Sequence, residues 1–328
     1  MRLTRIAAAA AALPLLALGL AACSSSTSTS TSTSSTGAGS SASASGAESS
    51  TGAAFPQTLT AENGTVTLAQ RPTHIVSLSP TATEDLYAVG AGSQVVAVDE
   101  YSDYPANAPK TSLTGLTPNV EAILKYNPDL VVASEDANGM VAALKKVGVP
   151  VLIEPSADTL NDAYAQIDQL GQATGHLAAA ESAVTTMKTE IAAAVKQAGS
   201  NHSDLSYYWE LDPTYYSATS STFIGQIAGL FGLKNIADKV DKAADGGYPQ
   251  LSSEYIVQAS PSIVFLADTV CCGASEKTVA ARPGWSGVEA VKVDDVVGLN
   301  DDIASRWGPR LPQLVQEIAA AVEKAPAK

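Results

Sequence analysis

Asn119-Val120-Glu121-Ala122-Ile123-Leu124-Lys125-Tyr126-Asn127-Pro128 and Ser252-Ser253-Glu254-Tyr255-Ile256-Val257-Gln258-Ala259-Ser260-Pro261 are two copies of one pattern. Each places Glu two residues after a polar cap, then an apolar turn, then Pro, and each runs into an apolar stretch, Leu130 to Ala133 and Ile263 to Ala267. Asn or Ser at a cap accepts a hydrogen bond from an unpaired backbone N–H, and a carboxylate in the first turn suits the positive end of a helix. Both glutamates are therefore expected at exposed helix starts. Glu in a first turn is ordinary helix chemistry at either site alone. A matched pair implies two similar lobes, each presenting an acidic knob to a partner with two basic sockets.

Working outward from the first copy, apolar runs alternate with amphipathic stretches. Strands are expected at His74–Leu78, Val95–Val98, Leu130–Ala133 and Val149–Ile153, with helices at Thr81–Val89, Val120–Tyr126 and Asn138–Val147. Such alternation gives a parallel sheet covered by helices. From Asp158 to Gln197 the apolar residues recur at helical spacing, with a break expected near Gly175 and His176 and a second helix of about 30 Å. Strands then resume at Leu205–Leu211, Ile263 and Val296–Leu299, with helices at Thr222–Phe231, around Glu254 and at Leu311–Glu323. The expected fold is α/β: two Rossmann-like lobes, each a mostly parallel sheet with flanking helices, joined by a long α-helix. The boundaries read are 55–157, 158–203 and 204–328, with a cleft where the carboxyl ends of the strands face one another.

The chain start addresses the protein to the exterior. Arg2 and Arg5 precede an apolar run from Ile6 to Leu20, too short to span a bilayer and laid out as a secretory signal, residues 1–22. It ends in Leu20-Ala21-Ala22-Cys23, which resembles the lipobox of bacterial lipoproteins and implies lipidation of Cys23. Residues 23–54 are nearly all Ser, Thr, Ala and Gly, a flexible tether that buries too little to fold. The formal charge of −14 deepens when the two leader arginines are lost, which argues against nucleic acid and anionic lipid surfaces as partners. Cys271 and Cys272 are the only other cysteines. In an oxidising exterior they form a vicinal disulfide, remain a reduced pair, or link to a partner.

Tyr101, Tyr104, Tyr215, Tyr216 and Tyr248 sit on expected cleft loops of a chain that is only 5% aromatic, and suit a large, flat, partly polar ligand. Tyr207, Tyr208 and Trp209 read as strand core. Asp302 and Arg306, four apart before the last helix, can share a helical face, pair, and offer hydrogen bonds to a ligand. His74, His176 and His202 lie far apart, no metal set is suggested, and no phosphate loop, nucleophile elbow or zinc-protease motif occurs. An enzyme is not expected. A competing envelope-hydrolase reading would rest on Asp302 near Asp301.

The segments Ile75-Val76-Ser77-Leu78-Ser79-Pro80 with Thr83-Glu84, Tyr101-Ser102-Asp103-Tyr104-Pro105, Asn119 to Leu130 and Ser253 to Val264 resemble substrate-binding proteins of bacterial ABC importers for vitamin B12 and ferric siderophores. The likeness runs from about Arg71 to the last helix. It implies a lipid-anchored monomer that captures a metal chelate as cargo, without a cofactor of its own, and delivers it to a permease and ATPase complex. Glu121 and Glu254 match the permease-docking glutamates, and Tyr101, Tyr216, Tyr248, Asp302 and Arg306 match ligand contacts. Where vitamin B12-binding members carry Trp six residues before the first docking glutamate, this chain has Gly115, which counts against cobalamin itself. A tris-catecholate complex needs more basic residues than Arg306 and Arg310. The resulting order is a corrinoid, then a neutral ferric hydroxamate, then haem.

Overall fold

The computed structural model describes residues 54–325. The expected leader, Cys23 and all but the end of the tether lie outside the described residues. The chain first forms an antiparallel hairpin, β1 (Gln57–Ala61) and β2 (Gly64–Leu68). Leu59, Val66 and Leu68 are buried between exposed neighbours, the period-two signature of strands with one wet face. Asn63 at the hairpin tip reaches the next sheet: its amide nitrogen donates to the Val151 carbonyl and its oxygen accepts from the Ile153 N–H.

The first lobe follows as β3 (Ile75–Leu78), α1 (Pro80–Ala88), β4 (Val95–Asp99), β5 (Lys110–Leu113), α2 (Val120–Leu124), β6 (Leu130–Ala133), α3 (Met140–Lys146) and β7 (Val151–Ile153). Its five strands are parallel, in the order β5-β4-β3-β6-β7. Every residue of β3 and β6 is buried, as expected of central strands covered on both faces.

Two helices then cross between the lobes. Helix α4 (Leu160–Thr174) starts at a reciprocal Thr159–Asp162 capping box and stops at Gly175, whose φ of 77° needs a glycine. Helix α5 (Leu177–Ala198) is the expected long helix. Gly171 is where the two helices touch: a Cβ there would strike the methyl of Ala180. One face of α5 buries Ala180, Val184, Met187, Ile191 and Ala194. These join a single apolar cluster that includes Ile75 and Leu86 of the first lobe and Trp209, Phe231 and Ile318 of the second.

The second lobe contains β8 (Ser206–Glu210), α6 (Phe223–Gly229), β9 (Lys234–Asn235), α7 (Ser253–Ala259), β10 (Ile263–Leu266), α8 (Thr269–Cys272), α9 (Glu276–Ala280), α10 (Glu289–Lys292), β11 (Val296–Gly298), α11 (Asp301–Ser305) and α12 (Leu311–Lys324). Its parallel sheet has the order β9-β8-β10-β11, the same path as β4-β3-β6-β7. Tyr207 and Trp209 face the shared cluster, whereas Tyr208 faces a second one around Trp285, as strand alternation requires. Helix α5 therefore carries two sheets of one design. The differences from the sequence reading are the hairpin, the polar edge strand β5, the two-residue β9 and the short helices α8 to α11.

Candidate functional site

In each sheet the helices run antiparallel to the strands, so loops and helix starts gather at the strands' carboxyl ends. The lobes meet there. Glu84, 2% exposed in α1, accepts from Arg310 at both carboxylate oxygens, at 2.7 and 2.6 Å, and from Arg306 at 2.9 Å. Arg306 also donates to the Tyr101 carbonyl at 3.0 Å, to Asp103 at 3.2 Å and to Asp302 at 2.6 Å. The guanidinium of Arg310 lies 4.3 Å from the centre of the Tyr104 ring. Two arginines of the second lobe thus seat on one buried carboxylate of the first.

The sequence placed Asp302 and Arg306 together, and they are bonded. Arg306, however, stands at the end of α11 in extended backbone, which frees it to reach across the cleft. Glu84 and Asp103 carry no site signal of their own in the sequence, and Arg310, counted there with Arg306 as a cleft cation, is paired with Glu84. In the structure Glu84 and Asp85 lie in a stretch of α1 whose Thr81 to Leu86 are all buried, a setting in which adjacent acids require partners or protons. Burial pushes Asp85 well above the carboxylate range, with Glu84 and Glu154 adding to it, and burial lifts Glu154 to about 8. Asp302 is also raised, by burial first, against the pull of Arg306.

Among the described residues four tyrosines are exposed. Tyr101, Tyr104, Tyr216 and Tyr248 are each between 41% and 54% exposed. Tyr216 bridges to Gln250 in antiparallel fashion, and Ser217 and Thr219 donate to the carbonyls of Pro249 and Gly247, which brings the Tyr216 and Tyr248 segments side by side. Tyr215 differs. It is turned inward at a φ of 70° and stacks on Trp285, so it belongs to the lobe's interior. Tyr248 precedes Glu254 by the same six residues that separate Gly115 from Glu121. A Cβ on Gly115 would run into the Leu78 carbonyl, so the first lobe has backbone where the second has an aromatic ring.

The paired acidic knobs stand at equivalent points. Asn119 accepts from Ala122 N–H at 3.0 Å and Ser252 from Tyr255 N–H at 3.2 Å, starting α2 and α7. Glu121 and Glu254 are exposed, and neither makes an ion pair among the described residues. Each helix leads into the strand beside the first strand of its lobe, β6 beside β3 and β10 beside β8.

Within the second lobe, Glu210 is fully buried at the end of β8 and takes both prongs of Arg282 at 2.6 Å. Arg282 lies over Trp285 and Tyr215. Asp268 beside them is pushed up to about 6 by burial and then by Glu210, with Arg282 opposing. Cys271 and Cys272 are joined as a disulfide, and both are exposed. Asp301, proposed as one half of a catalytic pair, instead accepts backbone N–H groups of Val270 and Cys271, so the hydrolase reading loses that carboxylate. Among the described residues no three His, Cys, Asp or Glu side chains are grouped to hold a metal ion.

A family model described as periplasmic binding protein matches residues 75–303. An ABC transporter substrate-binding lipoprotein of Bacillus subtilis is 33% identical over 278 residues, covering 82% of this chain and 86% of that one. A vitamin B12-binding protein of Pectobacterium carotovorum is 30% identical over 257 residues, covering 76% and 88%. Among solved structures, the periplasmic vitamin B12-binding protein of Vibrio cholerae superposes with a TM-score of 0.64 at 26% identity, covering 76% of this chain and 96% of that one.

Proposed function

The chain belongs to the periplasmic binding protein family, and from that premise we propose that it is a lipid-anchored receptor that captures a metal chelate outside the cell and hands it to an ABC permease. The signal peptide, Cys23 and the tether supply the anchor, and the protein acts by binding rather than by chemistry. The single observation that carries the reading is the repeat: two sheets of one strand order, each with an exposed, unpaired glutamate in an equivalent first turn. A permease with two arginine sockets would read both at once, since a rim charge gives orientation and encounter rate more than affinity.

The cargo lies among Tyr101, Tyr216 and Tyr248, with Asp302 and Arg306 beneath. Arg306 and Arg310 are already matched by Glu84, Asp103 and Asp302, so the cleft has little positive charge to offer a trianion. This favours a cargo of low net charge, a corrinoid first, a neutral ferric hydroxamate second and haem third. The missing side chain at Gly115 makes the wall one-sided, with the broad aromatic contact on the second lobe.

Reversing both knobs, Glu121→Lys with Glu254→Lys, is expected to abolish uptake in the host while the purified protein binds cargo with unchanged affinity. Retained uptake by that double variant would refute the docking role. The visible absorption of protein purified from its host identifies the cargo, because corrinoids, ferric hydroxamates and haem absorb differently.

A further inference from the structure

The tip Val270-Cys271-Cys272 stands apart from the tyrosines and the arginine cluster, yet it is held firmly. It follows the carboxyl end of β10, and Asp301 anchors it: the carboxylate accepts from Val270 N–H at 3.0 and 3.1 Å and from Cys271 N–H at 2.7 Å. The Thr269 hydroxyl lies 2.6 Å from the Leu299 carbonyl oxygen and 3.0 Å from Asp301. Asp301 is followed directly by Asp302, which bonds Arg306, which touches the Tyr101 carbonyl across the cleft. The tip is therefore built onto the segment that joins the lobes.

What it displays is apolar. Val270 is 71% exposed, the highest value among the exposed large hydrophobic side chains of the described residues, and the two cysteines beside it are exposed as well. The disulfide joins residues one apart in sequence, so it closes no chain loop and constrains the unfolded state very little. Global stability does not account for it. Joining the sulfurs does remove two weak S–H donors and leaves a fixed, polarizable surface, the kind that favours contact with conjugated or apolar organic groups. A pinned, exposed apolar and polarizable surface, anchored by Asp301 one residue along the chain from the Asp302–Arg306 pair, is placed to receive an apolar group.

We propose that Val270, Cys271 and Cys272 form a cargo-contact surface on the second lobe, receiving the apolar organic shell of the metal chelate and discriminating among chelates by its shape. This rests on the chelate-receptor reading. It adds a surface facing the shell where the tyrosines face the flat ring, and makes Asp301 a positioning residue that holds the tip.

The test measures binding of cyanocobalamin, a gallium trihydroxamate and haemin to the full purified chain by titration calorimetry, then repeats it with Val270→Ser and with Cys271→Ser/Cys272→Ser. The expected result is that the best probe binds about tenfold more weakly to each variant, with thermal unfolding unchanged because the residues are exposed. An independent arm reduces the wild type with dithiothreitol, which gives two electrons and two protons to the S–S bond. Two protein thiols form and the reagent closes to its cyclic disulfide, and after anaerobic desalting the reduced protein is expected to bind cyanocobalamin or the gallium complex more weakly than the oxidised one. Unchanged affinity in both variants and on reduction overturns the proposal and leaves the receptor reading intact. Uptake lost at unchanged affinity also overturns it, assigning the tip to the permease. No binding of any probe to the wild type overturns the receptor reading, and the proposal with it.

Discussion

Each lobe buries a glutamate under a two-pronged arginine, but the arginines come from different places. Glu210 is held by Arg282 of its own lobe, 72 residues away in sequence. Glu84 is held by Arg310, 226 residues away in the opposite lobe, with Arg306 beside it. The local chemistry is the same, yet the first pair forms whenever the second lobe folds, and the other forms only when the lobes stand as they do here. One is a foundation and the other a joint.

Glu210→Ala should give the largest effect, because it strands a charged Arg282 among Tyr215 and Trp285. A loss of about 3–5 kcal/mol is expected from the urea midpoint and slope. A loss below about 1 kcal/mol would remove the foundation from the comparison. Glu84→Ala should cost less, about 1–3 kcal/mol, since Arg306 and Arg310 can regain water when the lobes part. Its signature should be faster hydrogen exchange at residues 101–104 and 306–310. Equal costs at Glu84 and Glu210 with no change in exchange would mean that the two pairs do the same work.

Burial provides a third contrast. Glu154, raised to about 8, keeps its proton in the folded state while the unfolded chain releases it from about 4.5 upward. The stability it contributes is fully present below pH 4.5 and is lost as pH rises through 8. Glu154→Gln removes that slope, so at pH 8 it should be more stable than the wild type by on the order of 2 kcal/mol, read from unfolding midpoints across pH 5–8. An identical pH profile in the two proteins would contradict the raised carboxyl. A last contrast concerns the one-sided wall: Gly115→Ala should lose about 1–3 kcal/mol through its clash with the Leu78 carbonyl. A neutral result there would show that the first lobe has room for the side chain that the second lobe carries at Tyr248.

The architecture was legible because buried parallel strands are written as unbroken apolar runs. Leu130–Ala133 matches β6 residue for residue, and the run from Ile263 begins where β10 does. The repeated cap, Glu and Pro gave both lobes and both knobs. The hairpin was missed because its Thr-rich strands, with only Leu59, Val66 and Leu68 buried, follow a Ser/Thr-rich tether and differ little from it in composition. Strand β5, Lys110–Leu113, is a polar edge with one buried residue. The joint at Glu84 was illegible for another reason: helical spacing reveals partners three or four apart, as for Asp302 and Arg306, and carries no information about a partner in the other lobe.

Asn63 gives the first sheet one more property. Its side-chain amide imitates a short piece of neighbouring strand, occupying the carbonyl of Val151 and the N–H of Ile153 along the outer side of the last strand. Those are the hydrogen-bonding groups that a second molecule would use to add its own strand. With that template filled by a single residue, copies of the chain can collide without zipping into an extended sheet.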